Sequence, residues 1–229
     1  MSLRDFSASL EWLSINTATV RRQRGVEVPL TRIIDQCAAR GIRAISPWRD
    51  QVAVVGIDAV ARQLRALGVG LSGYCRGGFY PATDKAGLNA ALDDNRRAID
   101  EAKALSAPCL VLVVGSLPDA LDGHPAHKDI ARVRCEVRDG VAATLEYARS
   151  VGMPLAIEPL HPMQAAERAC INTLEQALDL CDELDFERSG LLGVAVDVYH
   201  VWWDPKLAQQ IERAGRSRLL AFDVCDWLT

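Results

Sequence analysis

The sequence predicts an α/β protein built as a TIM-type (β/α)8 barrel. Three observations carry that prediction. Seven short apolar runs alternate with longer helical patterns, most of these runs are continuously apolar rather than alternating, and no phosphate-binding glycine motif follows the first of them. Continuous apolar runs mark strands covered on both faces, and regular β–α alternation implies a parallel sheet with right-handed crossovers. The absence of G-x-G-x-x-G or G-x-x-x-x-G-K-S/T after the first run weighs against an open nucleotide-binding sheet.

Taken in order, strands are expected at 10–15, 44–47, 69–74, 109–114, 155–158, 192–197 and 219–224. Helices are expected at 29–40, 56–67, 84–106, 128–151, 172–184 and 205–214. In the third helix Leu88, Leu92, Ile99 and Ala102 form an apolar stripe. Asn172 with Glu175 reads as a capping box, and Asp204-Pro205 as an N-cap followed by proline at the first helical position. Gly41, Gly68 and Gly152 each stand between a helix and a strand, where a left-handed C-cap is expected. Such barrels typically need about 250 residues. One domain over 1–229 is therefore expected, without the barrel's last helix–strand–helix in this chain. The unpaired edges on the first and seventh strands predict either association of copies, a homo-oligomer closing through that gap, or a chain that is a fragment of a longer gene product.

Composition narrows the function. Of the 229 residues 49% are hydrophobic, enough for one sizeable core. A net charge of −4 argues against a nucleic-acid or anionic-membrane surface. The longest apolar run, 107–114, falls far short of the roughly 20 residues a membrane span needs. The seven cysteines are scattered, odd in number and without a CxxC pair, so they read as reduced core residues of a cytoplasmic protein.

The chemistry gathers at strand ends. Glu158, in Leu155-Ala156-Ile157-Glu158-Pro159, and Asp197, in Val194-Ala195-Val196-Asp197, each end an apolar strand. A carboxylate there must meet a partner or a cation, because stranding it in the core would cost several kcal/mol. The C-terminal ends of parallel strands are also where ligands collect. With His161 and His200 nearby, the two acids read as a divalent-metal site. Asp197 and His200 lie three apart and converge only if the strand ends at Asp197 and the chain bends. Asp223 and Asp226 flank Cys225 on the last strand, and Asp223 is a candidate third ligand. Oxygen-rich ligation favours Mn²⁺, Mg²⁺ or Co²⁺, with Zn²⁺ as a further option. Arg76, in a glycine-rich loop, and Arg168, after the fifth strand, are candidate substrate contacts; Glu167 offers Arg168 a local partner. Trp48 is a candidate wall for a sugar ring, whereas Trp12 reads as core. His124 and His127 read as members of a solvated loop.

The stretches Ile157-Glu158-Pro159-Leu160-His161-Pro162, Val196-Asp197-Val198-Tyr199-His200-Val201-Trp202-Trp203-Asp204-Pro205 and Phe222-Asp223-Val224-Cys225-Asp226-Trp227 resemble the sugar isomerase/epimerase superfamily with the xylose-isomerase-like TIM barrel. They look like a bacterial branch often labelled sugar phosphate isomerases/epimerases, and the resemblance runs over nearly the whole chain. It implies a divalent metal on Glu158 and Asp197, with Asp223 where that superfamily usually has histidine and no strand-eight glutamate before Thr229. It also implies that His200, with Arg76, Trp48, His161 and Arg168 as further candidates, contacts a small sugar or polyol. The implied chemistry is proton abstraction next to a carbonyl, with Glu158 moving the proton. Two other readings stay open: a non-catalytic metabolite-binding barrel that has lost turnover, and a metal-dependent endonuclease of the same fold. Acidic balance and few histidines count against the endonuclease.

Overall fold

The computed structural model describes residues 5, 6 and 9–225, and its contacts cluster into two units. The first runs to Cys75 and includes Asp100–Pro108; the second comprises Arg76–Ile99 and the chain from Cys109 onward.

The first unit begins with a 3-10 turn at Leu10–Trp12 and then β1 (Ser14–Asn16). The strand expected at 10–15 thus starts late, and Trp12 is 57% exposed rather than core. A hairpin of β2 (Arg22–Gln23) and β3 (Val26–Glu27) follows, unforeseen in the sequence. Arg24 and Gly25 both take positive φ in its two-residue turn, matching the right-handed twist of a hairpin. Helix α1 (Leu30–Ala39) buries Leu30, Ile33, Ile34 and Cys37, one stripe at helical spacing. Then come β4 (Ala44–Ser46), α2 (Arg49–Val55), α3 (Ile57–Leu67) and β5 (Gly70–Leu71), with β1, β4 and β5 forming a parallel sheet. Gly56 at φ +91 separates α2 from α3, so a loop in the sequence reading is a helix in the structure. The Arg49 guanidinium donates twice to Glu101, which also accepts from the Tyr74 hydroxyl.

Strand β6 (Tyr74–Gly78) leads into the second unit, followed by α4 (Lys85–Ala104), β7 (Leu110–Val113), α5 (Ile130–Val151) and β8 (Leu155–Ile157). After these come α6 (Leu174–Leu184), β9 (Leu192–Asp197), the single turn α7 (Val198–Val201), α8 (Leu207–Arg218) and β10 (Leu219–Asp223). The sheet order is β10-β9-β8-β7-β6, with β7–β8, β8–β9 and β9–β10 parallel. Strands β7 and β8 are buried along their whole length, as their continuous apolar runs require. Gly68 and Gly152 close α3 and α5 in the left-handed conformation. Two expected caps shift. Thr173 and Gln176 form the capping box of α6, while Glu175 pairs with Lys206 Nζ at 2.8 Å. The Asp204 side chain caps the Lys206 amide, and α8 starts only at Leu207. Five cysteines are buried; Cys135 and Cys225 are exposed, and no disulfide joins any of the seven.

Arg218, at the end of α8, is completely buried. Its Nη1 donates to Asp185 Oδ2 and to the Leu192 carbonyl, both at 2.7 Å, and its Nη2 reaches the Cys181 carbonyl at 3.2 Å. One guanidinium therefore ties the end of α6 and the start of β9 to the start of β10. Burial works against an ionised Asp185, yet hydrogen bonds from Ser189 and Arg218 hold its pKa below the usual range. Leaving Arg218 unpaired should cost about 3–5 kcal/mol. Chemical denaturation of Asp185→Ala is expected to show much of that loss, Asp182 keeping a contact at 3.3 Å, with the exposed pair Arg96–Asp93 as a near-neutral control when Asp93 is replaced by alanine.

Candidate metal centre

Strand register places three acids on one face of the sheet. Ala156 pairs with Gly193, Ala195 with Ala221, and Asp197 with Asp223. Side chains alternate along a strand, so Glu158, Asp197 and Asp223 share the face that carries Ala156, Gly193, Ala195 and Ala221 below them. Small residues beneath leave room above. Glu158 stays on the ladder, its amide donating to the Leu112 carbonyl at 3.0 Å, and Pro159 then withholds the next donor.

Asp197 ends β9 and caps α7, accepting from the Tyr199 amide at 2.9 Å. That single helical turn brings His200 round to the side of Asp197, as residues three apart lie together on a helix. Donor atoms of Glu158, Asp197 and His200 all lie within 4.8 Å of one another. Ligands at about 2.1 Å from a small divalent ion stand roughly 3–4 Å apart, so slight closure would seat one. Asp223 falls outside this cluster, but its charge acts on both other acids.

Electrostatics point the same way. Burial first, then the charges of Asp197 and Asp223, push the Glu158 pKa up to about 8; Arg76 opposes the rise. Burial lifts Asp197 to about 6, against the Tyr199 hydrogen bond and with help from Asp223. Acids crowded in this way favour a cation among them. The donor set, two or three carboxylate oxygens and one imidazole, fits a hard or borderline divalent ion.

His200 is held more specifically than a generic ligand. Its Nδ1 accepts from the His161 amide at 3.2 Å, which leaves Nε2 to carry the hydrogen of the neutral ring. Burial, then the charges of His161 and Arg168, lower its pKa to about 4, so the ring is neutral near pH 7. Such a ring donates from Nε2 rather than offering a lone pair. The cluster geometry admits His200 as a ligand; the hydrogen bond favours it as a donor, and the bond is the firmer guide because it fixes the tautomer.

The remaining candidates fall as follows. Arg76 lies on β6, its guanidinium 4.6 Å from the centre of the Phe79 ring. Asn95 clamps that strand, accepting from the Gly78 amide at 2.6 Å and donating to its carbonyl at 2.8 Å. A Cβ on Gly78 would meet the Val113 carbonyl oxygen at 1.9 Å, so no side chain fits there. His161 starts a 3-10 turn, its Nδ1 accepting from Met163, and meets the Trp203 ring edge-on at 6.1 Å. Arg168 lies 3.6 Å from Glu167, close enough in charge to act on His200. Trp48 belongs to the first unit, where its indole donates to Asn16 Oδ1 at 2.9 Å. Asp226 lies outside the described residues. Tyr199, Trp203, Phe79 and Asn95 escaped the sequence reading; only the aromatic run after Asp197 hinted at the first two.

A profile described as "Xylose isomerase-like TIM barrel" matches residues 34–229. The chain belongs to that family. Among solved structures, protein SMc04130 from Sinorhizobium meliloti 1021 is 54% identical, at a TM-score of 0.86 over 96% of this chain and 75% of that one. The apo 3-keto-D-glucoside 4-epimerase YcjR from E. coli is 16% identical, with a TM-score of 0.73 over 93% and 78%. The IOLI protein with a binding zinc atom is 16% identical, with a TM-score of 0.74 over 93% and 72%. The last two show likeness of fold alone. Comparison with curated proteins gives no match. Among the described residues, no helix is long and apolar enough to cross a membrane.

A pH signature follows from Glu158. The folded chain without metal holds its proton more tightly than the unfolded chain does. That contribution is fully present below pH 4.5 and is lost as pH rises through about 8, on the order of a few kcal/mol. Thermal melts in chelator should show the decline, and Glu158→Gln or saturating Mn²⁺ should flatten it.

Proposed function

We propose that this member of the xylose isomerase-like family is a divalent-metal-dependent isomerase or epimerase of a small sugar, polyol-derived ketone or hydroxy-keto acid. The observation that carries the reading is the convergence of Glu158, Asp197 and His200, with their donor atoms within 4.8 Å, at the ends of β8 and β9. Glu158 and Asp197 would hold the metal, with Asp223 as the third carboxylate. Bound there, Mn²⁺, Mg²⁺, Co²⁺ or Zn²⁺ would supply the positive charge that lets the acids ionise and that polarises a substrate carbonyl.

The chain's own groups do the rest. Glu158 moves the proton at the carbon next to that carbonyl. A base serves best with a pKa near the working pH, and a cation beside this carboxyl would draw its pKa back down from the raised value it has without metal. His200 donates from Nε2 to the developing oxyanion, a role its fixed tautomer suits. Arg76 balances part of the acid charge without closing the site. His161, through its amide, sets the His200 ring. Trp48 as a sugar-facing wall stays an independent proposal, to be read from a Trp48→Ala variant.

Titration calorimetry should detect Mn²⁺ with the intact chain and lose it in Glu158→Gln; equal affinity in the two would defeat the metal assignment. Solvent deuterium uptake into a ketose panel should fall at least about 10²-fold in the same variant. The two roles of His200 separate in His200→Asn. If the ring is a donor to substrate, exchange falls about 10- to 100-fold while Mn²⁺ affinity is kept; loss of the metal instead would make His200 a ligand.

A further inference from the structure

The peptide unit that joins Leu160 to His161 is held from both sides. Its carbonyl accepts from Asn172 Nδ2 at 2.9 Å, and its N–H donates to His200 Nδ1 at 3.2 Å. Such a unit is planar and trans, so the two groups point opposite ways and can turn only together. Fixing the carbonyl therefore aims the N–H. A carbonyl that accepts a hydrogen bond also strengthens the N–H of its own unit as a donor.

Asn172 is itself firmly placed. Its Nδ2 donates a second time, to the Ala169 carbonyl at 3.0 Å. Two carbonyl acceptors demand an NH2 group, which assigns the nitrogen and oxygen of this side chain. Its backbone amide donates to Gln176 Oε1 at 2.8 Å, beside the capping box that starts α6. The Leu160 amide donates to the Ile171 carbonyl at 3.1 Å, so both backbone groups of Leu160 are tied to the segment 171–172. The loop 161–170 is thus closed at its neck, and the His200 ring bonds to that neck. Resting on the reading of His200 as a donor to substrate, we propose that Asn172 is a positioning residue for that histidine. By pinning the Leu160–His161 peptide unit, its amide group keeps the ring's lone pair at Nδ1 and its hydrogen at Nε2. Asn172 acts through the backbone, not through contact with the reacting atoms. Aspartate has the same shape but no N–H to give two carbonyls, so it cannot take over the task.

Nitrogen NMR of the full chain in chelator at neutral pH reads the arrangement without turnover. In the unaltered protein, scalar coupling across the hydrogen bond should join the His161 amide nitrogen to His200 Nδ1. A second coupling should join Asn172 Nδ2 to the Leu160 carbonyl, and only Nε2 of His200 should carry a hydrogen. In Asn172→Asp and Asn172→Ala the first coupling should shrink or vanish, and an Nδ1–H form of the ring should appear. Exchange of the His161 amide should rise roughly 2- to 10-fold, as for one neutral hydrogen bond. Asn172→Gln keeps the NH2 group on a longer stem and should restore part of the coupling, which preserves the test if the shorter variants fail to fold. Thr173→Ala breaks the capping box but leaves the Asn172 amide group, and should keep every signal. Deuterium uptake with Mn²⁺ should fall by a similar factor in Asn172→Asp while Mn²⁺ affinity is kept. Absence of either coupling in the unaltered protein overturns the proposal. So does a His161–His200 coupling at full strength in all three Asn172 variants, its equal loss in Thr173→Ala, or unchanged uptake in a variant that has lost it. If the unaltered protein exchanges no ketose while the couplings behave as stated, the isomerase reading falls and the positioning of His200 stands.

Discussion

The site depends on a contact at the opposite end of its strands, the buried pair of Arg218 and Asp185. Both side chains are 1% exposed, and Arg218 also donates to the Leu192 carbonyl, where β9 begins. Strand β10 starts at the next residue, so the pair fixes where β10 sets off alongside β9. Gly193 allows the approach, since a Cβ there would stand 2.3 Å from the Arg218 carbonyl oxygen. A register shift between Leu219 and Ala221 follows at once, after which Asp223 lies directly beside Asp197. Had the register slipped by one residue, Asp223 would face the other side of the sheet. A buried ion pair is weak evidence for stability but a good device for specifying one arrangement, and here the arrangement is the juxtaposition of two carboxylates.

That juxtaposition is unfavourable by itself. Like charges on paired residues repel, and the small residues below the acids offer no compensating donor. Only Arg76 opposes the rise of the Glu158 pKa, and its effect is smaller than those of burial and the two aspartates. The fold therefore maintains a face on which Glu158 and Asp197 hold their protons above the ordinary carboxylate range. Structural acids in this chain look different. Asp185 accepts from Arg218, Arg149 and the Ser189 amide, and its pKa is held down, whereas Glu158 and Asp197 are pushed up. The raised strand-end acids thus differ from Asp185, whose lowered pKa belongs to a structural joint.

Much of this was legible in the sequence. The apolar runs ending in Glu158 and Asp197 gave the strands and their carboxylates, because a charge that closes such a run can hardly be anything but a strand-end group. The three-residue spacing to His200 required a bend after Asp197, and α7 is that bend. Less legible were features that depend on tertiary neighbours. The apolar residues of 10–12 look like strand but turn as a 3-10 segment, leaving Trp12 exposed. The hairpin at 22–27 has strands of two residues each, too short to show a period. Thr173 displaced Asn172 as the cap because the Asn172 amide group is engaged by the Leu160 and Ala169 carbonyls. Arg218 and Asp185 gave no signal, since their partner is set by packing 33 residues away.

The tautomer of His200 is the finest consequence of the local chain path. Pro159 and Pro162 bracket the segment whose His161 amide has no helical or strand acceptor to meet, and that amide turns to the His200 ring instead. A backbone donor survives any substitution except proline, so the ring keeps its lone pair at Nδ1 and its hydrogen at Nε2 with any other residue at position 161. The Trp203 indole reinforces this by donating to the His200 carbonyl at 2.9 Å, which tightens the turn carrying the ring. Asp197 caps the same turn that carries His200, so that acid and the imidazole are positioned together, whereas Glu158 is set by the end of β8.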